Sequence, residues 1–177
     1  MTLGSNGGWE RMIEISKLSS IYDVRSLTEE NTDEILEVLK DNPQFYEYSD
    51  AEPTKQQILS DMHLLPTGTD MKDKYYVGFY RGRELMAIMD IIDGYPKEEV
   101  AYIGFFMMGG KFQGRQIGST VIREVCAYLK QIGKTTIRLV IDKANPQSTH
   151  FWNKNGFVVF REVERNGHIL MEADKAL

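Results

Sequence analysis

The sequence predicts a single α/β domain, built on a mixed, mostly antiparallel sheet of six to seven strands flanked by about four helices. Three observations point there. Between residues 75 and 108 the apolar pattern comes in short runs rich in β-branched and aromatic residues, as in consecutive strands. At Ile117, Val121, Ile122, Val125, Leu129 and Ile132 the spacing becomes helical. From Thr135 onward strand-like runs return, interrupted by one short helical stretch. At 177 residues, 42% of them hydrophobic, the chain has enough apolar material for one core.

Taken in order, residues 1–20 are expected to be a flexible lead-in, since their start is rich in Gly, Ser and Asn. Tyr22 to Leu27 reads as a short strand. Asn31, with Glu34 three residues on, suits a helix cap, and Ile35, Val38 and Leu39 supply the apolar stripe. A second helix is expected between Pro53 and Pro66, with Ile58, Leu59, Met62 and Leu65 turned inward. Tyr75 to Tyr80, Leu85 to Ile92 and Val100 to Met108 form a meander of three strands. The helix after Lys111 ends at Gly133. TTIRLVID is a strand, NPQSTHFWNKN a short helix, and FVVFREVER and HILMEA the arms of a hairpin whose Asn166-Gly167 suits a type I′ turn.

Composition narrows the function. A net charge of -5 argues against a general nucleic-acid binder, whose phosphate contacts need clustered Lys and Arg. Three His and one Cys, none closely spaced, give no metal site and no intramolecular disulfide. Cys126 falls on the apolar stripe of its helix and reads as packing. The N-terminal stretch lacks the apolar run of a signal peptide and no later stretch is long enough to span a bilayer, so a cytoplasmic protein without membrane contact is expected.

The chemistry-bearing stretch is KFQGRQIGSTVIREV, in which a strand ending in FFMMGG runs through two glycines into a helix. Backbone N–H groups at such a helix start are uncovered and favour an anion. Neither a Walker A ending nor a GxGxxG after a strand is present.

QGRQIGS resembles the pyrophosphate loop of the GNAT superfamily of acetyl-CoA-dependent N-acyltransferases, with pattern Gln/Arg-x-x-Gly-x-Gly/Ala. Gln113 and Gly118 match it, whereas Gln116 stands at the place of the first glycine. Farther on, Asn145 and the aromatic-x-x-x-Gly-Phe of WNKNGF, with Trp152, Gly156 and Phe157, also match, and the element order agrees from about residue 20 to the C-terminus. The resemblance implies a single GNAT-like domain over residues 21–177 and acetyl-CoA as acetyl donor. It implies that Phe106, Met107 and Met108 bond the pantetheine arm through their backbone, and that a backbone N–H near Met107 polarises the thioester carbonyl. Gln113, Gly114, Arg115, Gln116, Ile117, Gly118 and Ser119 would hold the pyrophosphate, Arg115 adding a charge-assisted contact. Asn145 would contact the pantetheine, with Ser148 and Trp152 lining the thiol end.

Two departures matter for mechanism. Gln116 is compatible with the loop if it enters the helix at negative φ, the main chain doing the binding. Trp152 replaces the tyrosine that many members use to protonate the thiolate. An indole is not an acid near neutral pH, but a thiolate of reference pKa about 8.5 leaves without one.

An alkylammonium acceptor must lose a proton before it attacks. Asp90, amid MAIMDII, and Glu99, at a strand start, are the carboxylates considered. Asp90 either faces solvent by alternation or lies in a cleft, and Glu99 reads equally as a solvated strand-entry residue. His150 suits an exposed helix face and Tyr102 suits sheet packing. Between the first two helices, Tyr46, Glu47, Tyr48 and Asp50 offer rings and carboxylates to a cation, or form a solvated loop. The reaction expected is acetyl transfer to a primary amine, on a small-molecule or peptide acceptor, by direct attack in a ternary complex. A catalytically silent acyl-CoA-binding module and a nucleotide-binding regulatory domain are the alternatives. Monomer and homodimer are both compatible with the sequence.

Overall fold

The computed structural model describes residues 12–49 and 51–177. Seven strands form one sheet: β1 (Asp23–Ser26), β2 (Lys74–Arg81), β3 (Glu84–Asp93), β4 (Val100–Met108), β5 (Thr136–Asp142), β6 (Val158–Arg165) and β7 (His168–Ala176). Their spatial order is β1-β2-β3-β4-β5-β7-β6. Every neighbouring pair is antiparallel except β4 and β5. Five helices accompany them: α1 (Thr32–Lys40), the single turn α2 (Pro43–Tyr46), α3 (Lys55–His63), α4 (Ile117–Gln131) and α5 (Pro146–Lys154).

Strand alternation divides the core into two layers. Met86, Met89, Val121, Val125, Leu139 and Trp152 belong to a layer between the sheet and α4 and α5. Leu27, Ile35, Ile58, Tyr76, Ile88 and Met107 form the second, beneath α1 and α3. From residue 12 the N-terminal stretch expected to be a loose lead-in is packed, with Ile13 and Leu18 in the first layer. Ser19 and Ser20 tie it to Glu124 of α4, whose carboxylate accepts from Ser20 N–H at 2.9 Å and Ser20 Oγ at 2.6 Å.

Local details refine the sequence reading. Asn31 precedes α1 without capping it by its side chain. It accepts instead from Thr28 N–H and donates to Glu34, while Thr28 caps a preceding 3-10 turn. α3 starts later than expected, at Lys55, because Thr54 caps it by accepting from Gln57 N–H. Of its four expected inward residues, Ile58 and Met62 are buried. Asn166 and Gly167 both have positive φ, 52° and 80°, as a type I′ turn requires.

Two irregularities place the site. β4 pairs with β5 only from Val100 to Ile103, so from Gly104 to Met108 one edge of a central strand has no ladder partner. On its other edge Asp90 pairs with Phe105 and Ile91 with Ile103. Gly104 is therefore the extra residue of a β-bulge, and it is exposed in mid-sheet.

Candidate active site

The parting of β4 from β5 opens a cleft of about 470 Å³, whose lining includes Phe106, Met107, Met108, Gln113, Gly114 and Gln116. Gly118, Ser119, Asn145, Ser148 and Trp152 line it too. Most of the residues expected to hold coenzyme A thus meet in one place. Arg115 is exposed in the same loop, and Ile117 is buried as the first residue of α4.

Because α4 begins at Ile117, the N–H groups of Ile117, Gly118 and Ser119 have no acceptor inside the helix. The first intrahelical bond is Thr120 N–H to the Gln116 carbonyl, 3.0 Å. The N-cap makes no side-chain bond to them, so an anion meets bare main chain and the positive end of a helix. This main-chain arrangement suits a diphosphate. Gln116 takes the left-handed conformation, φ 61° and ψ 7°, not the negative φ expected. The turn needs positive φ at both Gly114 (69°) and Gln116, and glutamine meets that at a steric cost. Gly118 is small for a second reason: a Cβ there would lie 3.2 Å from the Phe151 ring and 3.4 Å from Met108 Cγ.

Register decides which strand groups face the cleft. Gly109 N–H donates to the Met86 carbonyl at 2.8 Å, and Met107 stands opposite Ile88. By the alternation of an antiparallel ladder, Met107 N–H turns toward β3. The expected role of Met107 as carbonyl-polarising donor is therefore corrected: Phe106 and Met108 present their main chain to the open edge. The Met108 carbonyl is already engaged, accepting from Asn42 Nδ2 at 2.9 Å and Gln113 Nε2 at 3.1 Å. Gln113 also bonds Asn42 Oδ1, so its side chain braces the loop against the turn between α1 and α2. Asn145 is buried and spends its Oδ1 on capping α5, accepting from Ser148 N–H at 3.0 Å.

Trp152 is buried in a ring cluster with Phe106, Phe151 and Phe157, at centroid distances of 5.9, 5.0 and 5.0 Å. It forms a wall. His150 is exposed on the rim.

Through the split, on the α1 and α3 side, lies a second group. Asp90 is 9% exposed, which settles its orientation toward the interior. Its Oδ2 accepts from Lys74 Nζ at 2.8 Å, while Oδ1 is buried without a hydrogen-bond partner. The carboxylate lies over Gly104, where a Cβ would come within 2.8 Å of Oδ2. Burial raises the pKa of Asp90 above the usual carboxylate value, with Lys74 opposing and Asp61 adding. Phe45 meets Phe105 edge to face at 5.9 Å and Tyr46 at 5.1 Å. The Tyr46 hydroxyl is pushed up to about 12, first by burial and then by Asp61. Glu47 is exposed and Tyr48 half-buried; Asp50 lies outside the described residues.

Glu99 does not join them. It is exposed at the start of β4 and lines another cavity, of about 550 Å³, with Gly94, Glu98 and Lys134. Seven residues of strand separate it from Phe106, about 23 Å. Sequence reasoning missed Lys74, Asp61, Asn42 and Gly104, which show no signal without the strand register. Among the described residues no cluster of three His, Cys, Asp or Glu could hold a metal ion, and no helix is long and apolar enough to cross a membrane.

Comparison with known proteins agrees with this geometry. The structure is similar to an acetyltransferase from Thermus thermophilus, with TM-score 0.72 and 22% identity over 88% of this chain and 97% of that one. It is similar to the PaiA N-acetyltransferase of Thermoplasma acidophilum, solved in complex with coenzyme A, with TM-score 0.61 and 19% identity over 85% and 97%. A spermidine N-acetyltransferase chimera of the Vibrio cholerae SpeG and hSSAT gives TM-score 0.65 and 15% identity over 89% and 96%. No curated protein matches the chain in sequence. The model of the Acetyltransferase (GNAT) family matches residues 31–157, well over half of the chain. The chain belongs to the GNAT family of acetyltransferases, whose reaction draws an acetyl group from acetyl-CoA.

Proposed function

We propose that the protein acetylates a primary amine by direct attack within a ternary complex, with Asp90 as the proton acceptor. One observation carries the reading: where β4 parts from β5, the open edge at Phe106 lies in one cleft with the start of α4, and two residues back along the same strand the Gly104 bulge lies against the carboxylate of Asp90.

Each side of the opening has its task. The loop from Gln113 to Ser119 holds the diphosphate of coenzyme A, and Asn145, Ser148 and Trp152 flank the thiol end. Bound acetyl-CoA supplies the thioester, whose C–S bond breaks as the N–C bond forms, the thiolate leaving. The main-chain N–H of Phe106 faces the reacting carbonyl as a preorganised donor. Asp90 lies over Gly104, two residues away along the strand, about 7 Å, a span for a short chain of waters rather than a direct contact. It takes the proton of the acceptor ammonium and becomes neutral, which burial favours. The second proton, left on the nitrogen as the N–C bond forms, goes to the departing thiolate and gives the free thiol, which with a reference pKa of about 8.5 needs no separate side-chain acid.

The acceptor enters on the α1 and α3 face, where Phe45, Tyr46 and Phe105 supply ring surface and Asp61 adds negative charge. That lining favours an alkylammonium bearing an apolar or aromatic arm. The test is release of free thiol from acetyl-CoA in the presence of spermidine, 2-phenylethylamine, an aminoglycoside, free amino acids and a lysine-containing peptide. Mass spectrometry should find one acetyl group on at least one amine. Coenzyme A binding with no acetylated product from any class would favour the silent binding module, the reading that Trp152 supports by offering no hydroxyl.

A further inference from the structure

We infer that Lys74 is a positioning residue for this reaction, holding Asp90 as an oriented carboxylate at the point where β4 and β5 separate. The inference rests on the acetyl-transfer reading and adds the group that readies its proton acceptor. Lys74 is the first residue of β2, its side chain only 1% exposed. Its ammonium donates to Asp90 Oδ2 at 2.8 Å and to the Leu64 carbonyl, just after α3, at 2.9 Å. Lys74, itself anchored to the end of α3 through Leu64, therefore holds one oxygen of Asp90, and the other is left without a partner.

Stability gives little reason for such a pair. A buried ion pair recovers its desolvation cost only with excellent geometry, and apolar residues of the same volume often do as well. Here the surroundings are apolar and aromatic, with Ile88, Tyr76, Met107 and Phe105 in the same layer. The pair also sits beside an exposed glycine in an opened strand edge rather than deep in the sheet. Without a cation, burial would push Asp90 further toward its neutral form, which accepts no proton.

The groups facing Asp90 are Lys74 and Tyr76 from β2, Asp61 from α3 and Tyr102 from β4. Tyr46 of α2 faces Asp61 and Tyr76 behind them. Asp61 is fixed by Gln57 Nε2 at 2.8 Å. Lys74 lowers the Asp90 pKa and Asp61 raises it, so their removal must act in opposite directions. Neutralising Lys74 moves the titration up; neutralising Asp61 moves it down.

The experiment follows the side-chain carboxyl carbon of Asp90 by NMR through a pH titration of the full chain, in wild type, Lys74→Gln and Asp61→Asn. The same variants are assayed for the pH dependence of kcat with 2-phenylethylamine and the other panel amines. We expect an upward displacement in Lys74→Gln and a downward one in Asp61→Asn, with the kcat inflection following each. At pH 7, Lys74→Gln should lose about a hundredfold or more in kcat and recover most of it as pH rises, while Asp90→Asn shows no inflection to move. If Lys74→Gln does not fold, the Asp61→Asn displacement decides. An Asp90 titration that stays in place, or one that moves while kcat does not follow, overturns the inference and leaves acetyl transfer standing. Absence of acetylated product with every amine removes the function itself.

Discussion

Replacing Gln116 by glycine should stabilise the protein and leave coenzyme A binding intact. The residue has φ 61° and ψ 7° and makes no capping bond with its side chain. For an L-residue that conformation costs about 1–2 kcal/mol. Glycine relieves it but brings a freer unfolded chain, worth about 0.5–1 kcal/mol in the other direction. The balance is a gain of about 0.5–1 kcal/mol, or about 1–4 °C in Tm for a chain of this size. Gly114, two residues earlier, has φ 69° and open space around its missing Cβ. Gly114→Ala should therefore destabilise by about 1 kcal/mol through backbone strain alone. Thermal unfolding of both variants reads the opposite signs, and calorimetry reads the ligand. Since the main chain does the binding, the coenzyme A Kd of Gln116→Gly should stay within about threefold, or about 0.7 kcal/mol. A destabilised Gln116→Gly, or a tenfold weaker Kd, would refute the reasoning, because the side chain would then hold the turn or the ligand.

Three further outcomes follow from the same geometry. Gly118→Asp should abolish measurable coenzyme A binding, since its side chain must enter the space against Phe151 and places a like charge among the N–H groups; calorimetry with unchanged affinity in a folded variant would move the diphosphate elsewhere. Trp152→Ala should cost about 3–5 kcal/mol, measured by denaturant unfolding, because it empties a buried ring cluster, whereas Trp152→Phe should retain turnover, and its loss with intact binding would give the indole a chemical role. Glu124→Gln should lower Tm at neutral pH. Burial acts to raise the Glu124 pKa, but hydrogen bonds from Ser19 and Ser20 outweigh it and leave it below its ordinary value of 4.5. Such a group contributes stability above its unfolded pKa and loses it as pH falls through the folded one. The gap between variant and wild type should therefore close in acid, and a gap unchanged by pH would make the effect purely steric.

The fold was legible because its signals are local. Val100 to Met108 is an unbroken run of β-branched, aromatic and other apolar residues around one glycine and is a strand, with the expected ends; the α4 stripe from Ile117 is buried where its spacing put it. The bare helix start was legible for the same reason, since two glycines and the lack of a capping residue are visible in one line. What the sequence hides is parity and partnership. Whether Phe106 or Met107 turns its N–H to the open edge depends on register against β3, which Gly104 shifts by one residue. Lys74 and Asp90 stand 16 residues apart, and no periodicity couples them; only the β2 to β3 register does. Glu99 was plausible while the strand direction had no cleft attached to it, and its distance from Phe106 removes it. The positive φ of Gln116 is set by how the loop must turn between β4 and α4, with Asn42 and Gln113 bracing it, and glutamine gives no hint of it.

The measurement that bears most directly on the whole account is turnover of acetyl-CoA, saturated with the best amine of the panel, by wild type and Asp90→Asn at pH 7. The account predicts a kcat lower by about 10²–10⁴ in the variant, with its coenzyme A affinity unchanged because the diphosphate loop lies on the other side of the split. Equal turnover in the two proteins would contradict it, and the proton would have to leave the acceptor by a route that does not pass Asp90.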